Sequence, residues 1–451
     1  LFAWFERRVH PYPDAEAPTP PRGLWRFMWA CSEGLRPLIF YMTVCTAAIG
    51  AFEALLFSML GHVVDWLGAV KPSELWQREH VSLLLLAAIL VGSPILIALQ
   101  TMLKHQALAA NFPMRLRWNF HRLLLGQSMY FYQDEFAGRV ATKVMQTALA
   151  TRDAILILTD IMVFVAIYFV TMVAVVAGFD RWLLAPFVGW LVLYGIAMAY
   201  FVPRLADVAK EQADARSLMT GRITDAYTNI ATVKLFSHAR REASFAQAAM
   251  KEFMVPAYGQ MRLVSGFEIT NHSLNMLLIV GSSGIALWLW SQGQVGVGAV
   301  AAVTAMALRL NGISHWVMWE MASLFEHIGT VQDGMLTLSR PKQVVDAADA
   351  KPLVVTRGEV RFEQVGFSYG AAAAPRVIDD LSLTIRPGEK IGLVGRSGAG
   401  KSTIVNLLLR FYDVPSGRIL IDGQDVAHVT QDSLRAQVGM VTQDTSLLHR
   451  S

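Results

Sequence analysis

The residues whose types and spacing could do chemistry lie late in the chain, at Gly395-Arg396-Ser397-Gly398-Ala399-Gly400-Lys401-Ser402-Thr403. Gly395, Gly400, Lys401 and Ser402 satisfy the spacing G-x-x-x-x-G-K-[ST]. In that pattern the glycines let backbone N–H groups turn inward around phosphate oxygens, and a following helix adds the partial positive charge of its N-terminus. Lys401 would reach the β and γ phosphates of a nucleotide, and Ser402 would offer its hydroxyl to Mg2+. The pattern has chemical meaning only between a strand and a helix. The β-rich run "KIGLVG" at 390 and the apolar-periodic "KSTIVNLLLRFY" from 401 predict both.

Four more short β-rich runs surround that unit: "EVRFEQV" at 359, "LSLTI" at 381, "RILI" at 418 and "QVGMVT" at 437. Turn signals separate them, among them Pro387-Gly388 and Asp422-Gly423. They predict an α/β domain over 356–451, reached through a polar linker at 341–355.

The rest of the chain demands a different solvent. Of 451 residues 54% are hydrophobic and 16% charged, with a positive mean hydropathy, and the apolar residues concentrate before Pro341. Six stretches approach or exceed the roughly 20 residues a spanning helix needs, at about 38–64, 81–103, 155–178, 182–202, 263–290 and 295–322. Residues 1–34 form a polar, Pro-rich start and a short helix, "LWRFMWACSEGL", suited to the membrane interface. The gaps after the second and fourth spans are rich in Lys and Arg, whereas the alternate gaps are not, so both termini and the C-terminal domain are expected in the cytoplasm. The two basic gaps hold few Gly or Pro and read as helical hairpins extending roughly 35 to 45 Å from the membrane. The net charge of +4 is thus accounted for by loop basicity, with no stripe of basic and aromatic residues to suggest nucleic acid. Cys31 and Cys45 are too few for a disulfide framework or a metal knuckle.

Six spans, two long hairpins and a C-terminal phosphate loop together resemble an ATP-binding cassette (ABC) exporter half-transporter of the multidrug and lipid group. "VGFSY" resembles the family's adenine-stacking segment, which implies Tyr369 as the platform for the base. "VTQDTSLL" resembles the Q-loop, which implies Gln443 as the Mg2+ and γ-phosphate sensor. "YFYQDEFAGRVATKV" and "ITDAYTNIATVKLFSHARRE" resemble the coupling helices and their flanks. The implied fold is a six-helix membrane bundle over 35–340 followed by an incomplete α/β P-loop NTPase domain, with ATP and Mg2+ held by 395, 397–403, Tyr369 and Gln443. The family's signature segment, Walker B strand and switch His are expected beyond Ser451, so residues 1–451 alone are not expected to hydrolyse ATP. The resemblance also implies a second half-transporter chain, a homodimer in preference to a heterodimer, in the cytoplasmic membrane.

Ionisable and amide side chains inside the spans are expected to line a substrate path, because burying them in lipid is costly. They are Glu53, Asn271, His272, Asn275, Arg309, Asn311 and His315. The amide residues could equally be interhelical glue. The resulting expectation is ATP-driven export of amphipathic small molecules or lipids; the alternative is a nucleotide-gated or regulatory membrane protein on the same scaffold.

Overall fold

The computed structural model describes residues 1–15, 18–69, 71, 73–135, 137–236, 239–369 and 376–441. The chain divides into two units, Leu1–Phe120 with Lys143–Ser339, and His121–Thr142 with Arg340–Ser451.

The first unit is helical. Among the described residues, six helices are long and apolar enough to cross a membrane: Arg36–Gly68, Leu75–Leu125, Val140–Phe179, Arg181–Gln212, Arg240–Ser291 and Val297–Leu338. They are called the first to sixth spans below. The helices that include the fourth and fifth spans run 45 and 53 residues, Leu184–Thr228 and Ala239–Ser291. At about 1.5 Å per residue each is some 70 to 80 Å long, well beyond the hydrocarbon thickness of a bilayer. They pack along one another, and the short helix Ile230–Leu235 lies between their ends. The predicted helical hairpin is therefore present in this second basic gap. The short helix expected near the start is Leu24–Cys31, with Phe27 and Met28 buried and Trp25 and Trp29 exposed.

The core of this unit is a continuous apolar layer, including Tyr168, Met172, Phe187, Phe267, Met306 and Leu310, from the third to the sixth spans, with Ala54 from the first. Two contacts show how closely the first and sixth spans approach. A Cβ on Gly61 would stand 2.9 Å from the Gly298 carbonyl oxygen, and one on Gly298 would stand 2.0 Å from that of Gly61. Only hydrogen at both positions permits the crossing. Asp65 then accepts a hydrogen bond from the Gly298 N–H at 2.7 Å, in the first turn of the sixth span, where helix amides lack intrahelical acceptors.

The second unit centres on a sheet of β1 (Val360–Phe367), β2 (Ile378–Ile385), β3 (Ser416–Ile421) and β4 (Gln424–Asp425), ordered β2-β1-β3-β4 and antiparallel throughout. Phe362, Val365, Phe367, Ile419 and Ile421 face a core closed by Leu407, Tyr412 and Leu434. Three of the five β-rich runs thus form strands. The runs at 390 and 437 do not: residues 391–396 and 438–441 carry no regular structure, and Val394 is 98% exposed. Such apolar, non-alternating runs suit strands buried on both faces. A strand needs a partner for its backbone groups, and no described strand pairs with either run.

Candidate functional site

Helix Lys401–Leu408 follows the phosphate loop, with Gly400 as its N-cap at φ +82° and no capping side-chain hydrogen bond. The first N–H groups of such a helix have no intrahelical acceptors, and the helix dipole makes that end attractive to anions. Gly398 also has positive φ, and a Cβ on Gly400 would come within 3.2 Å of the Val377 carbonyl oxygen. Glycine is required there by both backbone conformation and space. Residues 395 to 399, Ser397 and Ala399 among them, are exposed. Lys401 Nζ donates to the carbonyls of Gly395 and Arg396, both at 2.9 Å, which folds its ammonium back over the loop. Ser402 is exposed beside it, whereas Thr403 is buried. An uncapped helix end, glycines of positive φ and an ammonium over the loop suit a nucleotide's phosphates, with the Ser402 hydroxyl available to Mg2+.

Tyr369 is brought to this loop by β1. Its hydroxyl lies 3.2 Å from Thr403 Oγ1, and its ring meets those of Phe367 and Tyr412 edge to face at 4.9 and 5.2 Å. Tyr412 in turn meets Tyr130 at 4.6 Å and accepts a hydrogen bond from Gln133 Nε2 at 2.5 Å. Tyr130 and Gln133 belong to the helix Met129–Asp134, within the first stretch that resembles a coupling helix. Ser128 holds the start of that helix by accepting from the amides of Gln343 and Val344, both at 2.9 Å. A chain of touching rings therefore runs from the coupling-helix segment to the phosphate loop. Sequence reading has no means of placing Tyr412 or Tyr130 in it. Gln443 lies outside the described residues.

In the first unit the predicted polar residues separate into two groups. Arg309 and Glu53 form an ion pair at 2.7 Å between the sixth and first spans. The amides form a buried network instead. Asn275 Nδ2 donates to Asn311 Oδ1 at 3.0 Å and to Ser314 Oγ at 2.9 Å, and Asn275 Oδ1 accepts from Trp190 Nε1 at 3.0 Å. Asn271 meets His315 Nδ1 at 3.0 Å, and Asn271 and Asn275 are both fully buried. This network ties the fourth, fifth and sixth spans together. His272, next to Asn271 in the fifth span, is exposed and does not join the network.

Sequence reading misses a second charged cluster. Asp160 accepts hydrogen bonds from Lys104 Nζ at 2.7 Å, from Gln100 Nε2 at 2.9 Å and from the Thr46 hydroxyl. The signal is present in "ILILTDIMVFV", where a lone Asp interrupts an apolar run. Its partner Lys104 reads in the sequence only as one of the basic residues after the second span.

Residues 39–313 match the family model of the ABC transporter transmembrane region, and 378–451 that of the ABC transporter. The chain belongs to the ABC transporter family, as a multi-pass membrane region fused to a nucleotide-binding region. Over all 451 residues it is 53% identical to an uncharacterized ABC transporter ATP-binding protein of Haemophilus influenzae, spanning 73% of that protein. It is 35% identical to an ATM1-type heavy metal exporter of Novosphingobium aromaticivorans over 51% of this chain and 37% of that one. A solved bacterial Atm1-family ABC exporter with ATP bound shares the fold, with a TM-score of 0.73 and 24% identity over 91% of this chain and 72% of that one.

Proposed function

We propose that the full-length protein is an ATP-driven exporter, working as a dimer of half-transporters in the cytoplasmic membrane and carrying amphipathic small molecules or lipids. The observation that supports it best is the pairing, in one chain, of a phosphate loop suited to nucleotide with spans that keep charged side chains inside an apolar bundle. ATP and Mg2+ would be held by Gly395, Ser397, Gly398, Ala399, Gly400, Lys401, Ser402 and Thr403, with Tyr369 against the base and Gln443 as sensor. ATP drives the cycle if closed and open arrangements bind it with different affinity. The ring chain from Tyr369 through Tyr412 to Tyr130 supplies a route by which such a difference reaches the coupling-helix segment.

The test is hydrolysis by the full-length protein in lipid nanodiscs, wild type beside Lys401→Ala, with a panel of amphipaths. The expected result is basal turnover that Lys401→Ala lowers by at least about 100-fold, as loss of a preorganised charge on a transferring phosphoryl group does, and that some amphipath stimulates. Nucleotide binding with no turnover would overturn the exporter reading in favour of a nucleotide-gated or regulatory protein.

A further inference from the structure

The ion pairs Lys104–Asp160 and Arg309–Glu53 share one cavity. It measures about 470 Å³ and is bounded by the first, second, third and sixth spans. In each pair the cation is the more exposed member: 29% for the Lys104 side chain against 7% for Asp160, and 44% for Arg309 against 30% for Glu53. Asp160 has further donors in Thr46 and Gln100, so its acceptor capacity is largely taken up. Lys104 and Arg309 each give one hydrogen bond to their acid, which leaves N–H donors for an incoming group. The face offered to a visitor is therefore cationic, backed by acids that keep the cavity neutral overall.

Backbone geometry marks the same place. Lys104 lies in a π-helical stretch, Met102–Ala109, and Asp160 in another, Ile157–Ile161. Such widened turns re-aim side chains and concentrate at functional sites. A second cavity, also about 470 Å³, lies between the first and second spans and is apolar, with Ala48, Phe52, Leu55, Met59, Leu86 and Ile89 in its wall. Phe52 and Glu53, neighbours in sequence, line one cavity each. On the second span the apolar wall is at 86 and 89 and the charged wall at 97 to 104. Their centres are about 13 residues, roughly 20 Å, apart along the helix.

We infer that the charged cavity is a site for an anionic amphipath, its phosphate, sulfate or carboxylate head on Lys104 and Arg309 and its hydrocarbon tail directed along the second span toward the apolar cavity. The inference deepens the export reading and rests on it only for the transport step, since binding itself requires no turnover. Cationic amphipaths are disfavoured because both acids stand behind their own cations.

The experiment uses nucleotide-free, full-length protein in phosphatidylcholine nanodiscs. Three photoreactive probes with the same dodecyl tail carry a phosphate, a trimethylammonium or a maltoside head, and labelled peptides are mapped by mass spectrometry. The expected result is labelling of residues 46–66 and 86–104 by the phosphate at least about tenfold above the ammonium, the scale of one charge-assisted hydrogen bond. Lys104→Gln combined with Arg309→Gln should abolish that preference while leaving maltoside labelling unchanged, and Lys104→Arg with Arg309→Lys should retain it. Equal labelling by both charged probes, or an undiminished preference in the glutamine variant, would overturn the inference. So would parallel loss of all three probes in the glutamine variant with the conservative variant also failing, because the pairs would then be purely structural. Anion binding without stimulated hydrolysis would instead count against export alone, and stimulation only by cationic amphipaths would leave export standing without this site.

Discussion

Asp422 sits in the turn between β3 and β4 with φ +47°, a conformation more readily tolerated by Asp and Asn than by most side chains. Its Oδ2 accepts from the amides of Thr356, Arg357 and Gly358 at 2.7, 2.8 and 3.1 Å, and its Oδ1 from Glu359 at 2.8 Å. Those bonds, led by Arg357, hold the carboxyl well below the usual carboxylate range. A folded-state pKa below the unfolded value of about 3.9 contributes stability that is fully present above that value and is lost as pH falls below it. Asp422→Asn should therefore lower the melting midpoint of the C-terminal unit at neutral pH and flatten its dependence on acid between about pH 4 and pH 2. Thermal melts followed by circular dichroism across that range would check it; an unchanged acid limb would refute the assignment. The sequence reveals only part of this. Asp422-Gly423 announces a turn, but the amides that Asp422 gathers come from more than sixty residues earlier.

At the scale of elements, the crossing of the first and sixth spans depends on absent side chains. Gly298→Ala would place a methyl group against the Gly61 carbonyl and the Asp65 carboxylate. Spreading the helices to admit it should cost about 1 to 3 kcal/mol, the usual cost of overpacking, seen as a lower unfolding midpoint in a detergent titration. Glycines elsewhere, such as Gly92 and Gly178, have open space at Cβ, so alanine there should be tolerated far better. Composition could not tell these glycines apart, because close approach is a property of two helices at once. In the second unit, Tyr412→Ala should cost about 3 to 5 kcal/mol, since the ring is almost wholly buried. Tyr412→Phe keeps the ring contacts to Tyr369 and Tyr130 and should lose only the bond from Gln133, about 1 kcal/mol. If stimulated hydrolysis falls in the alanine variant and survives in phenylalanine, the rings rather than the hydroxyl connect the loop to the coupling-helix segment.

On the scale of the whole molecule, the two units are stabilised in different ways. The second is an ordinary core of strands and helices, held by burial from water. In the first, apolar side chains gain little by leaving lipid for protein, so close packing and interhelical hydrogen bonds carry more of the specificity. Asn275 is the clearest case, its bonds joining the fourth, fifth and sixth spans. Asn275→Leu should cost about 2 kcal/mol, because interhelical bonds in membranes average about 0.6 kcal/mol each and Trp190, Asn311 and Ser314 would all lose one. Unfolding in sodium dodecyl sulfate, wild type against variant, would measure it. A neutral result would mean that those groups repartner locally.

By itself the sequence determined what depends on local composition and spacing. A run of twenty apolar residues has one solvent that suits it, and the apolar period after Gly400 makes the helix Lys401–Leu408. Only the tertiary structure decided which polar residues meet. Asn271, Asn275, Asn311 and His315 satisfy one another inside the bundle and His272 does not join them, while Lys104 and Asp160, from separate spans, pair beside Arg309 and Glu53 in one cavity. The physical reason is that lipid exacts a cost for every unpaired polar group without specifying its partner. The partner is set by helix rotation, by π-turns and by glycine contacts, none of which a single segment encodes. The same holds for the runs at 390 and 437, whose strand-like composition meets no partner among the described strands.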